Sequence, residues 1–226
     1  MNNALPFQDS YSTEMWRIFR IIAEFVDSTE AMHTLGPSVA FFGSSVAKGT
    51  TDLYYELAIA LAQKISKKGF AITTGGSFGI MEAANKGAKE AGGKSCGLCI
   101  DLPYEEKPND FIDKKYLLNF RHFFVRKLMF VKYAQAFVVL PGGYGTIDEL
   151  FEALNLIQTK KTKKFPVFLV GSDYWKGLVD WIHTTVLGKG NISREDVSLF
   201  RVVDDPDLIA EEIFDNYNKT KCLKNF

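Results

Sequence analysis

No charge of either sign dominates this chain: lysine plus arginine and aspartate plus glutamate each total 27 of 226 residues. A balanced surface exerts no global pull on nucleic acid or an anionic membrane, so any anion site must be local. No apolar run approaches the roughly 20 residues needed to cross a bilayer. Residues 1–10 are polar and lack the apolar stretch of a secretory signal. These absences lead us to expect a cytoplasmic protein with neither a nucleic-acid nor a membrane partner. Cysteine is scarce too, with three in the chain. Cys96 and Cys99 form a CxxC in "SCGLCI". The pair lies in a strand-like stretch, where positions i and i+3 face opposite ways, rather than at the helix start that favours a redox thiol. No second CxxC or paired histidines accompany it, so a structural role is expected and no metal. Repeats, low-complexity tracts and Pro/Gly/Ser linkers are also missing. A chain of this length suits one large domain with a sizeable core.

What is present is alternation. A helix comes first, with Met15, Ile18, Phe19, Ile22, Phe25 and Val26 on one stripe. Apolar strands then alternate with helices: "SVAFFG", "FAITTGG", "KSCGLCI", "YLLNF", "AFVVLPGG", "FPVFLVG" and "LFRVV" read as strands. The helix that begins after "GTT" takes Thr50 or Thr51 as its cap and stops at Gly69. Strands that are apolar throughout are buried on both faces, the mark of a parallel sheet covered by helices. The expected fold is therefore α/β: a Rossmann-like, doubly wound parallel sheet with helices on both faces. Residues 1–35 read as a helical extension and 36–226 as one nucleotide-binding catalytic domain. A TIM barrel is the rival, but about seven strands leave it short of eight.

In a doubly wound sheet the ligand sits at the carboxyl ends of the strands. Three strand ends here run into glycine or serine immediately before a helix: "GSSVAKGTT" from Gly43, "GGSFGIMEAAN" from Gly75 and "PGGYGTIDEL" from Pro141. Glycine bares the backbone to a ligand, and the helix start adds unpaired N–H groups with partial positive charge. Tight strand-to-helix turns need glycine for their own sake, yet three on one edge favour an anionic ligand. No GxxxxGK[ST] is present, which disfavours a P-loop NTPase. "GGYGT" is not GxGxxG, which disfavours a nicotinamide dehydrogenase.

"PGGYGTIDE" (141–149) resembles the PGGxGTxxE signature of the LOG family, cytokinin riboside 5′-monophosphate phosphoribohydrolases long mislabelled as lysine decarboxylases. "GSS" at 43–45, "GGSFGIMEAAN" at 75–85 and Arg126-Lys127 support the resemblance, which covers roughly residues 36 to 218. It implies a Rossmann-like fold and hydrolysis of a nucleoside 5′-monophosphate to free base and ribose 5-phosphate, with AMP or a cytokinin riboside monophosphate as substrate. No cofactor is implied, and no lysine sits in an evident pyridoxal phosphate context. The long N-terminal helix places the chain nearer a longer bacterial branch. Shorter members carry "MHxRK" where this chain has "RHFFVRK", so His122 is not carried over.

Gly142, Gly143, Tyr144, Gly145 and Thr146 are the expected phosphate turn. Two readings of Glu149 stand side by side. With Thr146 it spells T-x-x-E, a capping box that would only close the helix start. A ribohydrolase, however, needs a carboxylate beside an oxocarbenium-like centre, and the resemblance gives this Glu and Arg126 the catalytic roles. Lys127 is expected to bind substrate, although adjacent helix residues diverge by about 100°. Ser44, Ser45, Gly76 and Met81 are candidates for the pocket lining. Glu105 (with Glu106 as an equal competitor), Asn109 and Asn155 are candidates on the base or ribose side. The aromatic helix "RHFFVRKLMFVKYA", with Phe123, Phe124, Met129 and Phe130 on more than one face, points to a homo-oligomer. The competing class is a non-hydrolysing binder such as a molybdenum-cofactor carrier.

Overall fold

In the computed structural model, residues 11–46, 53–102, 107–220 and 225 are described, with backbone only for 11–13. Seven strands form one sheet: β1 (Ser38–Phe42), β2 (Ala71–Thr74), β3 (Ser95–Ile100), β4 (Leu117–Phe120), β5 (Ala134–Val139), β6 (Val167–Leu169) and β7 (Arg201–Val202). Their order is β4-β3-β2-β1-β5-β6-β7, and every pairing is parallel. The chain winds outward from β1 to β4, returns to β1's other side and winds outward again. The order reverses between β1 and β5, and there the crevice opens.

The apolar strands behave as their sequence requires. β1, β2 and β5 are buried along their whole length. Alternate residues of β1 serve opposite cores. Ala40 and Phe42 join Met32, Met129, Phe130, Leu150 and Trp175, from α1 (Tyr11–Leu35), α4 (Phe123–Tyr133), α5 (Tyr144–Gln158) and α6 (Ser172–Trp181). Val39 and Phe41 join Leu61, Ala84 and Ile209, from α2 (Leu53–Lys67), α3 (Ile80–Glu90) and α7 (Pro206–Thr220). Each fully buried Phe or Leu contributes about 2–3 kcal/mol of hydrophobic stabilisation. A Pro at α7's first position and Asp205 just before it, accepting from the N–H groups of Asp207 and Leu208, set that helix start.

Three expectations change. The "LFRVV" strand shrinks to Arg201–Val202, both exposed at the sheet edge. The segment "YWKGLVDWIHTTVL" (174–187), whose sequence predicts one helix, is α-helical only to Trp181 and widens to a π-helical turn over Ile182–Leu187. The β-branched Ile182, Thr184, Thr185 and Val186 crowd that turn, and Thr184 donates its hydroxyl to Asp180 O. The stripe of α1 faces outward: Met15, Ile18, Phe19, Ile22 and Val26 are exposed, as is Trp16 beside them. Met32 and Leu35 of its last third enter the core, and Ile21 and Phe25 pack half-buried against it. Thr50 and Thr51 lie outside the described residues. Cys96 faces α1, its Sγ 4.0 Å from Met32 Sδ, whereas Cys99 lies on the other side against Gly76. Burial pushes the two thiols up to about 12 and about 11, the opposite of a redox pair. No described helix is long and apolar enough to cross a membrane.

Candidate functional site

The three glycine-rich turns are laced together at the β1/β5 reversal. Leu140 N donates to Phe42 O (2.8 Å), Ser44 N to Pro141 O (2.9 Å) and Ile80 N to Ser44 O (2.9 Å). Such close approach leaves no room for side chains. A Cβ on Gly142 would lie 2.2 Å from Thr146 Oγ1, and one on Gly79, at φ +67°, would lie 2.3 Å from Ser44 O. These two glycines are therefore required by packing.

Helix α5 begins at Tyr144, behind Gly143. Its first amides cannot find intrahelical partners. Thr146 N and Ile147 N turn back to Gly143 O, whereas Gly143 N donates to no backbone oxygen among the described residues. This helix start opens on a cavity of about 410 Å³ lined by Gly43, Ser44, Ser45, Gly143, Gly145 and Thr146 on one side. Glu149, three residues further along α5, lines the same side, and Arg126 and Phe123 of α4 line the other. Unpaired N–H groups at a helix N-terminus suit a phosphate.

Glu149 is not a cap. The N-cap residue Gly143 receives no side-chain hydrogen bond, and Thr146 already lies inside the helix. Instead Glu149 is 6% exposed, and its Oε2 has no hydrogen-bond partner among the described residues. Burial raises its carboxyl to about 7, against the opposing pull of Lys127 and Arg126. Lys127 Nζ lies 3.6 Å from Glu149 Oε1, 3.0 Å from Asp148 and 2.8 Å from Glu152. Burial works to lower the Lys127 pKa, but these three carboxylates outweigh it and hold the ammonium above its ordinary value. Arg126 is fixed from behind: its Nε donates to Leu98 O at 2.7 Å, and the guanidinium lies 5.5 Å over the Phe130 ring. Burial lowers its pKa while the nearby Glu149 charge raises it. Among the described residues Arg126 and Glu149 form no direct ion pair, and Arg126 lines the cavity.

A second cavity of about 280 Å³ adjoins the first and shares Ser45, Gly75, Met81, Phe123 and Arg126 with it. Its wall adds Gly76, Cys99, Ile100, Leu102, Lys107 and Pro108. Behind that wall is a closed polar network. Thr74 Oγ1 donates to Asn85 Oδ1 (2.7 Å), Asn85 Nδ2 to Ser95 Oγ (2.8 Å) and Asn109 Nδ2 to Asn85 Oδ1 (3.0 Å) and Ser77 O (2.9 Å).

The structure thus brings together Ser44, Ser45, Gly76, Met81, Arg126, Gly143, Gly145, Thr146 and Glu149. Gly142 shapes the turn from behind. Four candidates fall elsewhere. Asn155 is six positions beyond Glu149, about 600° of helix rotation, which turns it away. It lines a separate apolar groove of about 180 Å³ with Phe151, Leu154 and Trp181. Lys127 is occupied by carboxylates and lines neither cavity. Tyr144 is 92% exposed and points outward from the turn. The Asn109 amide is occupied by Gly76 O, Ser77 O and Asn85. Glu105 and Glu106 lie outside the described residues. His122 pairs with Glu24 of α1 at 3.0 Å, away from the cavity. Phe123, which borders both cavities, was missed; its place three residues before Arg126 on one helix face was the available signal. Among the described residues no group of His, Cys, Asp and Glu could hold a metal ion.

The family described as "possible lysine decarboxylase" matches residues 81–213, well over half of the chain. The chain belongs to this family, the LOG family. An uncharacterized protein of Archaeoglobus fulgidus is 34% identical over 52% of this chain and 75% of its own. The cytokinin riboside 5′-monophosphate phosphoribohydrolase LOG5 of Arabidopsis thaliana is 30% identical over 65% of this chain, which spans 63% of that protein's length. The cytokinin riboside 5′-monophosphate phosphoribohydrolase of Rhodococcoides fascians is 27% identical over 71% of this chain and 81% of its own. Among solved structures, the molybdenum cofactor carrier protein of Chlamydomonas reinhardtii has a TM-score of 0.55 at 22% identity, over 80% of this chain and 99% of its own. The molybdenum cofactor binding protein of Rippkaea orientalis has a TM-score of 0.54 at 22% identity, over 79% and 95%. At that identity the likeness is one of fold.

Proposed function

We propose that this LOG-family chain hydrolyses the N-glycosidic bond of a nucleoside 5′-monophosphate, AMP or a cytokinin riboside 5′-monophosphate. Glu149 carries the reading. A carboxylate that is buried, lacks a partner for one oxygen and stands beside an anion-attracting helix start opposes anion binding. A carrier gains nothing from it. A ribohydrolase uses it to stabilise positive charge at C1′ and to orient water.

The 5′-phosphate sits on the Gly143–Thr146 turn and on Ser44 and Ser45, which holds the ribose over Glu149. The base extends past Arg126 into the second cavity. As the C1′–N bond breaks, its electron pair leaves with the base, and the forked guanidinium of Arg126 steadies that developing charge. Water adds to C1′, and its proton ends on the base. The products are free base and ribose 5-phosphate. Amine chemistry of the decarboxylase kind draws no support from Lys127, which three carboxylates keep protonated, whereas a Schiff-base lysine must be neutral.

Incubation with AMP tests this directly, with adenine and ribose 5-phosphate as expected products and adenosine reacting far more slowly. AMP bound without release of adenine would return the protein to the carrier class.

The same reading includes self-association. Met129 and Phe130 are buried in the protomer's own core, but Phe123 and Phe124 remain exposed. Glu24 ties α1, with its outward Trp16, Phe19, Ile22 and Val26, to the start of α4 by accepting from Arg121 N and pairing with His122. Residues 14–20 are exposed throughout, and a helix segment this short is marginal by itself. A second copy covering this surface accounts for both. Light scattering at micromolar concentration is expected to exceed the 25.4 kDa protomer mass, and a monomer would remove the idea.

A further inference from the structure

The nucleotide reading leaves open what aims the glycine turn. Glycine is free to flip, and a phosphate site needs the N–H edge of the peptide, not the C=O edge, turned to the ligand. We infer that Tyr174 is a positioning residue for this turn, fixing the Gly142–Gly143 peptide with its N–H toward the anion.

The Tyr174 hydroxyl donates to Gly142 O at 2.5 Å. In a trans peptide the C=O of one residue and the N–H of the next point in opposite directions, and no described peptide is cis. Tyr174 does not line the cavity, whereas Gly143 does. Holding the carbonyl on Tyr174's side therefore turns Gly143 N–H to the cavity side, where it meets no backbone acceptor. The flipped peptide would present a carbonyl oxygen to the phosphate and repel it.

Tyr174 is itself held by elements far away in sequence. The Asp204 carboxylate, beyond β7, accepts from Gly171 N (2.7 Å) and Ser172 N (3.1 Å), which fixes the start of α6 two residues before Tyr174. Trp175 packs edge-on to the Tyr174 ring at 4.9 Å and donates its Nε1 to Val170 O (3.1 Å). The ring is thus braced from below and the hydroxyl aimed at one carbonyl.

This inference rests on the phosphate reading, and the test separates the two. Calorimetry on the full chain would measure AMP and adenosine binding in wild type and Tyr174→Phe, alongside turnover of both and the melting temperature. Wild type that binds AMP no more tightly than adenosine removes the phosphate reading and, with it, this role. If wild type prefers AMP, Tyr174→Phe is expected to weaken AMP binding about fivefold to tenfold, the usual effect of one lost hydrogen bond. Adenosine binding and turnover should stay within twofold, with an unchanged melting temperature. Equal losses for AMP and adenosine, or no loss for either, would overturn the inference.

Discussion

The two walls of the crevice handle their polar groups in opposite ways. On the β2/β3 side, Thr74, Asn85, Ser95 and Asn109 bond one another and the local carbonyls. On the β1/β5 side, Gly143 N meets no backbone acceptor among the described residues and Glu149 Oε2 is unpaired. Gly143 is exposed and its N–H is open to solvent or a ligand, whereas Glu149 is buried, and a buried polar group costs about 1–3 kcal/mol when unpaired. One wall therefore reads as scaffold, and the other holds capacity for a ligand. Both walls are rich in glycine and hydroxyl residues, so these residue types alone do not separate them.

The largest effect expected on breaking that contrast comes from Glu149→Gln. Turnover of AMP should fall by about a hundredfold or more, the range for a positioned acid or base. The folded carboxyl titrates at about 7 rather than at its ordinary 4.5, so the folded state binds this proton more tightly than the unfolded one. Ionised Glu149 thus lowers stability progressively from pH 4.5 to 7, with the full cost present above 7. Gln removes that cost, and its melting temperature should exceed wild type at pH 8 and match it near pH 4. Near-normal turnover would make Glu149 a packing residue after all.

On the scaffold wall, Asn85→Ala should do the reverse. It strips partners from buried Thr74, Ser95 and Asn109 and should lower stability by about 3 kcal/mol in urea unfolding, while turnover of the folded fraction stays within a few-fold. Unchanged stability would show that the network is not what holds that wall.

Lys127→Met gives the smallest and most diagnostic change. Removing a cation that lowers the Glu149 pKa should move the acidic limb of the kcat profile up by about one pH unit. Activity then falls several-fold at pH 6 and little at pH 9. A uniform loss at every pH would instead mean that Lys127 contacts substrate.

Much of this was legible in the chain. The unbroken apolar runs "SVAFF" and "AFVVL" could only be doubly covered parallel strands, because no exposed face is provided for. "PGGYGT" could be placed at a strand end, since strand, glycines and helix follow without interruption. The misplacements share one cause. Asn155, Lys127 and Asn109 carry suitable chemistry, but rotation about a helix axis or a nearby partner directs each elsewhere. The outward stripe of α1 was readable as a stripe, and its period says nothing about which side of the helix meets the domain.

Sequence by itself therefore determined the sheet, its helices and the strand ends at which a ligand could be held, because period, apolar runs and glycine are local properties. Only the tertiary structure decided that Glu149 is a buried, half-unpaired carboxylate instead of a helix cap. It also set Arg126 between two cavities and brought Tyr174 onto the Gly142 carbonyl. Burial, charge coupling and hydrogen-bond partnership depend on residues distant in the chain, and no spacing rule within one segment carries them.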